Sequence, residues 1–352
     1  MAPTQGSGGA AFARAGLALL QRLPPETSHT LGLRALALSR HLWRTPPVPP
    51  ALEVRAFGRR FAHPAGLAAG FDKNGDYLDA LGALGFSHVE IGTVTPRPQT
   101  GNPRPRLFRL RGATALVNRM GFNNKGADHV AARLRRAAFE GVRGVSIGKN
   151  ADTPLEGAAA DYLACLRTLY GVADYFAINV SSPNTLGLRQ LQHADALAGI
   201  VEPLQEERRK LTGRHGKSVP LLVKISPDLD AEQLRALCRA LTRHAVDGVI
   251  ATNSSTDIAV PGTEADTRPE GGISGAPLTA RALEVLRILR TELAADYPII
   301  SVGGLMTAAD VLARLDAGAN LVQLYTGFVY RGPQLLTEIL RSLELRTQTA
   351  HP

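Results

Sequence analysis

The segment Tyr175-Phe176-Ala177-Ile178-Asn179-Val180-Ser181-Ser182-Pro183-Asn184-Thr185 decides the fold. Tyr175 to Val180 form an apolar run of the length of a buried strand. The run then breaks into two hydroxyls and an amide around Pro183, which has no N–H to donate and so ends ladder pairing. A strand that stops in crowded hydrogen-bonding groups opens onto a ligand. The pattern recurs: short apolar runs lie near 66–70, 88–92, 144–148, 175–180, 220–225, 248–252, 298–302 and 321–325. Helical patterns separate most of them, for example at 76–84, 126–139, 156–170, 231–244, 277–294 and 307–316. Eight strands with intervening helices predict an α/β chain built as a (β/α)8 TIM barrel, with an open doubly wound sheet as the alternative. Near-continuous apolar strands suit a sheet covered on both faces.

Working outward, a hairpin is predicted over Val54–Ala62, turning at Gly58, and an insertion at 95–120 carries two extended pieces, Leu107–Leu110 and Ala115–Asn118. Upstream, Phe12, Ala15, Gly16, Leu19, Leu20 and Leu23 share one helical face. Pro24 and Pro25 interrupt, and a second helix, capped by Thr27 or Ser28, runs to about Trp43 with Leu31, Ala35 and Leu38 on one stripe. Thr45-Pro46-Pro47-Val48-Pro49-Pro50 is a stiff extended spacer. The organisation is therefore a disordered N-terminus (1–10), a two-helix extension (11–45), a Pro-rich linker (46–52), the barrel (53–345) and a tail (346–352).

The chain has 352 residues, 44% of them apolar, and a net charge of +9 made from six lysines and 34 arginines against 31 acids. Arginine supplies the generic surface charge, so a lysine is the more informative cation; Lys73, Lys149 and Lys224 all fall at predicted strand ends. The positive charges are scattered, with no run and no aromatic-interleaved patch, which argues against nucleic acid as a partner. Cys165 and Cys238 sit in apolar helical patterns and read as buried inert thiols of a reducing compartment. No run approaches the roughly 20 apolar residues of a bilayer span, and none has the form of a signal peptide.

A barrel builds its active site from the C-terminal ends of its strands. Those ends read Ala69-Gly70-Phe71-Asp72-Lys73-Asn74-Gly75, Gly92-Thr93, Gly148-Lys149-Asn150, the segment quoted first, Lys224, Thr252-Asn253-Ser254, Gly303-Gly304 and Tyr325-Thr326-Gly327. The rim is rich in amides (Asn118, Asn123, Asn179, Asn184, Asn253) and poor in carboxylates and imidazoles. Amides donate and accept, which suits a flat heterocycle with alternating N–H and C=O edges, such as a pyrimidine or a flavin. Lys73 and Lys224 add positive points for a carboxylate or an anionic ring. No cluster suggests a metal, and no paired acids suggest glycoside hydrolysis. Gly303-Gly304 and Thr326-Gly327 fall at the corner where barrels often hold a phosphate, so a phosphorylated ring cofactor fits.

Seven ordered motifs carry a family resemblance: AAGFDKNG (68–75), EIGTVTPRPQTGNPRPRLFRL (90–110), NRMGFNN (118–124), AINVSSPNT (177–185), GVIATN (248–253), GGISGAPL (271–278) and LVQLYTGF (321–328). Over about residues 15–343 the chain resembles dihydroorotate dehydrogenase. Ser182, where soluble class 1 enzymes carry Cys, and the helical extension point to the quinone-dependent class 2 branch, a membrane-associated FMN enzyme of pyrimidine synthesis.

The resemblance implies that Lys73, Asn118, Asn179, Asn184 and Asn253 hold dihydroorotate or orotate, with the loop Asn118-Arg119-Met120-Gly121-Phe122 and Ser254 completing the pocket. It implies Ser182 as the base that removes the C5 proton while hydride leaves C6 for the flavin. Serine is a poor base by its own pKa and needs a water chain or a closed site; the polar segment 183–195 is long enough to be a lid. For FMN the similar positions are Ala69, Gly70, Phe71, Asp72, Lys73, Thr93, Asn179, Lys224, Thr252, Gly275, Gly304, Tyr325 and Thr326, with Lys224 near the ring edge that becomes anionic. Ser146 stands where the family usually has Asn, and a water is expected to fill the gap. The two N-terminal helices are implied to lie on the bilayer and lead a quinone inward past His29, Arg109 and Tyr325. The remaining expectations are a monomer at the cytoplasmic face of a bacterial membrane. The competing readings are an FMN barrel with a soluble acceptor such as fumarate or NAD, and an RNA-binding or scaffold barrel.

Overall fold

Phe57 and Gly58 both take positive φ, the turn that a two-residue hairpin requires, and join strands β1 (Val54–Ala56) and β2 (Arg59–Phe61). This hairpin opens a computed structural model that describes residues 15–43, 48–262 and 268–349. Eight parallel strands follow: β3 (Ala65–Leu67), β4 (His88–Val94), β7 (Val142–Ile147), β8 (Tyr175–Asn179), β9 (Leu221–Ile225), β10 (Gly248–Ala251), β12 (Ile299–Val302) and β13 (Leu321–Leu324). They close into a barrel in that order, with β13 returning to β3 through Val322↔Ala65 and Leu324↔Leu67.

Alternation along each strand divides the side chains between two environments. Outward residues such as Val89, Ile91, Val223 and Ile225 pack under the helices, in one core with Leu134, Leu166, Leu237 and Leu286. Inward residues Tyr175, Ala177, Leu222, Ile250, Ile300 and Leu321 fill the barrel with Ala56 and Phe61, so the hairpin plugs its N-terminal end. Phe61 meets the His88 ring edge-on at 5.2 Å, and Phe57 meets Tyr175 at 5.5 Å. A Cβ on Gly66 would strike the His88 ring at 2.2 Å, and one on Gly144 the Tyr175 ring at 2.1 Å. The missing side chains on neighbouring strands are what admit these two rings.

The helices are α3 (Leu78–Gly82), α4 (Ala127–Arg136), α5 (Ala158–Leu169), α6 (Ala194–His215), α7 (Ala231–Arg243), α8 (Thr279–Glu292), α9 (Ala308–Asp316), α10 (Thr326–Arg331) and α11 (Pro333–Thr349). Asp230 and Thr307 start α7 and α9 with reciprocal capping boxes to Gln233 and Asp310. α6, at 22 residues, lies outside the helical patterns read from sequence. The 95–120 insertion forms β5 (Leu107–Leu110) and β6 (Ala115–Asn118), the two expected extended pieces, and pairs with a third strand, β11 (Gly272–Gly275).

In front of the barrel, residues 15–20 are helical (α1) and α2 spans Pro25–Leu38. Neither Thr27 nor Ser28 caps α2: both lie inside it, because Pro25 already has the φ of a first helical residue. The helix stops at Leu38, and a short 3-10 turn at Arg40–Leu42 carries the chain on towards Trp43. The expected stripe of Leu31, Ala35 and Leu38 faces outward, while Leu33 is buried. The spacer also differs. Pro49 is extended, but Pro50–Leu52 form a 3-10 turn whose Leu52 is buried in the barrel's outer core. The expected disordered N-terminus, Phe12, Thr45 to Pro47 and the last three residues lie outside the described residues, whereas 346–349 continue α11 rather than forming a tail. Among the described residues no helix is long and apolar enough to cross a membrane.

Candidate active site at the barrel mouth

One cavity, enclosing about 1020 Å³ of space with its open mouth included, lies over the C-terminal ends of the strands. Each wall is a strand end that was legible in sequence. β3 gives Ala69, Gly70 and Lys73, β4 Thr93, and β8 Asn179, Ser182 and Asn184. β9 gives Lys224, β10 Thr252, Asn253 and Ser254, and β13 Tyr325 and Thr326. The insertion supplies Asn118, Met120, Gly121 and Phe122, and the glycine corner supplies Gly275 and Gly304.

The amides form linked pairs. Asn184 Nδ2 donates to Asn118 Oδ1 (3.1 Å), and Asn118 Nδ2 donates to the Gly272 carbonyl (3.2 Å). Asn253 Nδ2 donates to Ser181 Oγ (3.0 Å), and Asn179 Nδ2 donates to Thr93 Oγ1 (2.7 Å). Ser182 Oγ accepts the Asn184 backbone N–H at 3.3 Å, and among the described residues no imidazole or carboxylate bonds to it. Lys73 Nζ donates to the Gly70 carbonyl (2.7 Å), and burial pulls its ammonium down to about 8. Lys224 Nζ reaches Glu90 Oε1 at 3.3 Å.

Two buried polar atoms on residues lining this cavity, Asn123 Oδ1 and Gln323 Oε1, have no hydrogen-bond partner among the described residues. Buried polar groups are normally satisfied, so unpaired ones at a cavity wall mark where a bound polar ring would dock. At the glycine corner, Gly304 has φ +70°, and a Cβ there would lie 2.3 Å from Thr279 Cα, so only glycine brings the backbone this close. The donor set fits a flat ring with an anionic tail.

Six expected site residues do not line this cavity. Phe71 is a wedge, its ring meeting His29 (5.0 Å), Tyr325 (5.8 Å) and Phe328 (5.3 Å) edge-on. Asp72 is spent on the following turn, accepting the N–H groups of Asn74, Asp76 and Tyr77. Arg119 points away, donating to the Pro105 carbonyl and lying over the Phe108 ring. Ser146 is buried behind the wall, its hydroxyl bonded to Thr93 Oγ1 at 2.9 Å. His29 Nε2 donates to the Phe71 carbonyl (2.8 Å), and burial beside charged Lys73 holds the imidazole down to about 3. Arg109 donates to the carbonyls of Gln21 (2.7 Å) and Leu23 (3.3 Å), tying α1 to β5. Lys149 likewise turns inward, to the Asn150 and Thr153 carbonyls.

The segment 183–193 is pinned at its far end. Arg189 pairs with Asp228 (2.8 Å) and donates to Thr256 Oγ1 (2.9 Å), while Leu186 is almost fully exposed. Sequence reasoning missed Gln323, which lines the cavity, and two groups beneath it, Glu90 and Arg314. Buried Arg314 donates to the carbonyls of Thr279 (2.8 Å) and Gly303 (2.9 Å) and so braces the glycine corner. A charged residue inside an apolar strand, as Glu90 is in His88–Val94, was the available signal.

A family model for dihydroorotate dehydrogenase matches residues 51–346. The chain is 50% identical over 330 residues to a dihydroorotate dehydrogenase (quinone) of Chromobacterium violaceum, covering 92% of this chain and 95% of that one. It is 52% identical over 327 residues to the one of Methylococcus capsulatus, covering 92% and 96%. A solved structure of DHODH in complex with ferulenol from Eimeria tenella superposes with a TM-score of 0.87 at 36% identity, covering 93% of this chain and 92% of that one.

Proposed function

The chain belongs to the dihydroorotate dehydrogenase family, and we infer from this that it oxidises dihydroorotate to orotate with a quinone as electron acceptor, in pyrimidine biosynthesis. The observation that carries the reading within the site is the convergence of Lys73, four asparagines, Ser182 and Lys224 on one cavity. FMN is the cofactor we assign to it; when bound, it takes up hydride from the substrate and passes the electrons on to quinone. Gly275, Gly304 and Thr326 would hold its phosphate, and Thr93, Lys224, Thr252 and Tyr325 its ring.

The protein's own residues have separable tasks. Lys73 offers an ammonium to the substrate carboxylate. Asn118, Asn179, Asn184 and Asn253 present both donors and acceptors to the ring's N–H and C=O edges, and their mutual bonds fix those amides before substrate arrives. Ser182 Oγ takes the C5 proton while its own hydroxyl proton passes to water, and the Asn184 N–H that it already accepts stabilises the negative charge that builds on the oxygen as that proton leaves. The pinned segment 183–193 acts as the lid that keeps water away.

The acceptor side is read from the helices. Exposed Leu19, Leu31, Leu38 and Leu42 support peripheral association with a membrane; we place it at the cytoplasmic face, with the protein a monomer. The edge-on series His29, Phe71, Tyr325 supports a quinone path from the helices to the cavity wall. Anaerobic dihydroorotate should bleach the yellow FMN-supplied protein, and ubiquinone should restore the colour far faster than fumarate. A colourless protein, or equal reoxidation by fumarate, would overturn the assignment.

A further inference from the structure

Beneath the cavity the barrel interior holds a charged network that the reaction does not use. Glu90, in the middle of β4, is fully buried. Its Oε2 accepts from Tyr175 OH (3.0 Å) and Gln323 Nε2 (2.9 Å), and Gln323 Nε2 also contacts Tyr175 OH at 3.0 Å. Its Oε1 faces Lys224 Nζ at 3.3 Å. Lys224 and Gln323 line the cavity, whereas Glu90 and Tyr175 lie below it. An ammonium has three donors, and Glu90 is the only hydrogen-bond partner of Lys224 among the described residues, so two donors are left over. The floor is therefore an ion pair with its cation uppermost.

Two opposite charges this close and this far from water interact strongly, and a buried carboxylate without its cation is costly. That makes the pair more than a support. Resting on the flavin reading above, we propose that Glu90 is a positioning residue that holds Lys224 under the cofactor ring and offsets part of its charge, setting the ring's reduction potential. Lys224 alone favours negative charge on the ring and raises the potential. The carboxylate on its far side opposes that and lowers it.

The test is equilibrium titration of the intact flavoprotein against a reference dye, with no substrate or quinone present. Glu90→Gln keeps the shape and removes the charge; its amide oxygen can still accept from Lys224, while its NH2 replaces the oxygen that accepted from Tyr175 and Gln323. It should shift the oxidised-to-reduced ratio at least tenfold towards the reduced ring, about 30 mV upward for a two-electron couple. Lys224→Met, which removes the cation nearest the ring, should lower the potential. Tyr175→Phe removes one neutral donor from the carboxylate and should lower the potential. A flavin-loaded, thermally unchanged Glu90→Gln protein whose ratio stays within twofold of wild type would overturn the proposal. If that variant does not fold or take up the ring, Tyr175→Phe decides: a fall supports the proposal, and a rise or no change overturns it. Wild-type protein that binds no isoalloxazine fails the flavin reading instead, before any variant is compared.

Discussion

Leu67, Leu222 and Leu321 of the barrel are sealed from solvent, whereas Leu19, Leu31, Leu38 and Leu42 of the N-terminal helices are 64, 42, 86 and 83% exposed. The same residue type serves two ends. In the barrel each burial contributes roughly 1.5–3 kcal/mol to folding. In the helices that free energy is still available, because the apolar stripe has no partner among the described residues. The helices are held by one buried side, with Leu33 in the barrel's outer core and Leu36 packed against it, and by polar staples: Glu26 to Arg106 (2.7 Å), His29 to the Phe71 carbonyl, and Arg109 and Arg111 to the Gln21 carbonyl. One region is built by excluding water, and the other is docked by hydrogen bonds with its apolar side turned outward.

If that division is real, the two half-reactions should separate. The largest expected effect is at Ser182. Ser182→Ala should slow reduction of the flavin by dihydroorotate by about 10²–10⁴-fold in stopped-flow traces, leaving bound flavin and reoxidation by quinone unchanged. Parallel loss of reoxidation would break the separation. Next comes the outward face: Leu38→Asp with Leu42→Asp should weaken binding to lipid vesicles by roughly tenfold or more per side chain in a flotation assay. Reduction by dihydroorotate should not change, and vesicle binding equal to wild type would refute the membrane reading.

The third test is on pH. Lys73 has its pKa depressed to about 8, so its charge is fully present below that value and lost as pH rises through it. Orotate affinity, measured by calorimetry, should weaken by up to about tenfold per pH unit above 8, and Lys73→Met should flatten that profile. A profile flat to pH 10 in the wild type would remove Lys73 from the carboxylate. The smallest effect sharpens the comparison from the stability side. Leu42→Asp should change unfolding free energy by less than about 0.5 kcal/mol, whereas Leu222→Ala in the barrel should cost about 2–5 kcal/mol.

Local chemistry explains what the sequence made legible. All eight barrel strands were visible because each is a short apolar run bounded by polar groups, and β5 and β6 were visible for the same reason. β11 was not, since Gly272-Ile273-Ser274-Gly275 offers one apolar side chain between two glycines and is a strand only because Asn118 to Ala115 pair with it. α6 was hidden by Gly199 and Pro203, which its buried face of Leu197, Ile200, Val201 and Leu204 overrides. At the cavity, most residues that touch it were legible as strand ends, whereas Gln323, inside β13, was not. Those that act from behind, such as Arg314 and Thr93-bonded Ser146, depend on contacts between distant segments. Asp72 and Arg119 show the converse: residues inside a recognisable motif that are turned to backbone carbonyls or N–H groups.

The three-stranded sheet outside the barrel has a consequence for how the two chemistries are spaced. Asn118 ends β6, flanked by Leu107 on β5 and Gly272 on β11, while Arg109, two residues along β5, lies opposite Leu116. The amide proposed to grip the substrate and the guanidinium that fastens the first helix are thus mounted two rungs apart on one ladder, with Phe108 and Val117 between them. Rungs in a ladder keep a fixed separation, so this small sheet works as a gauge block. On the quinone path proposed above, this sheet keeps the interval between substrate and acceptor fixed, however the helices rest on a bilayer.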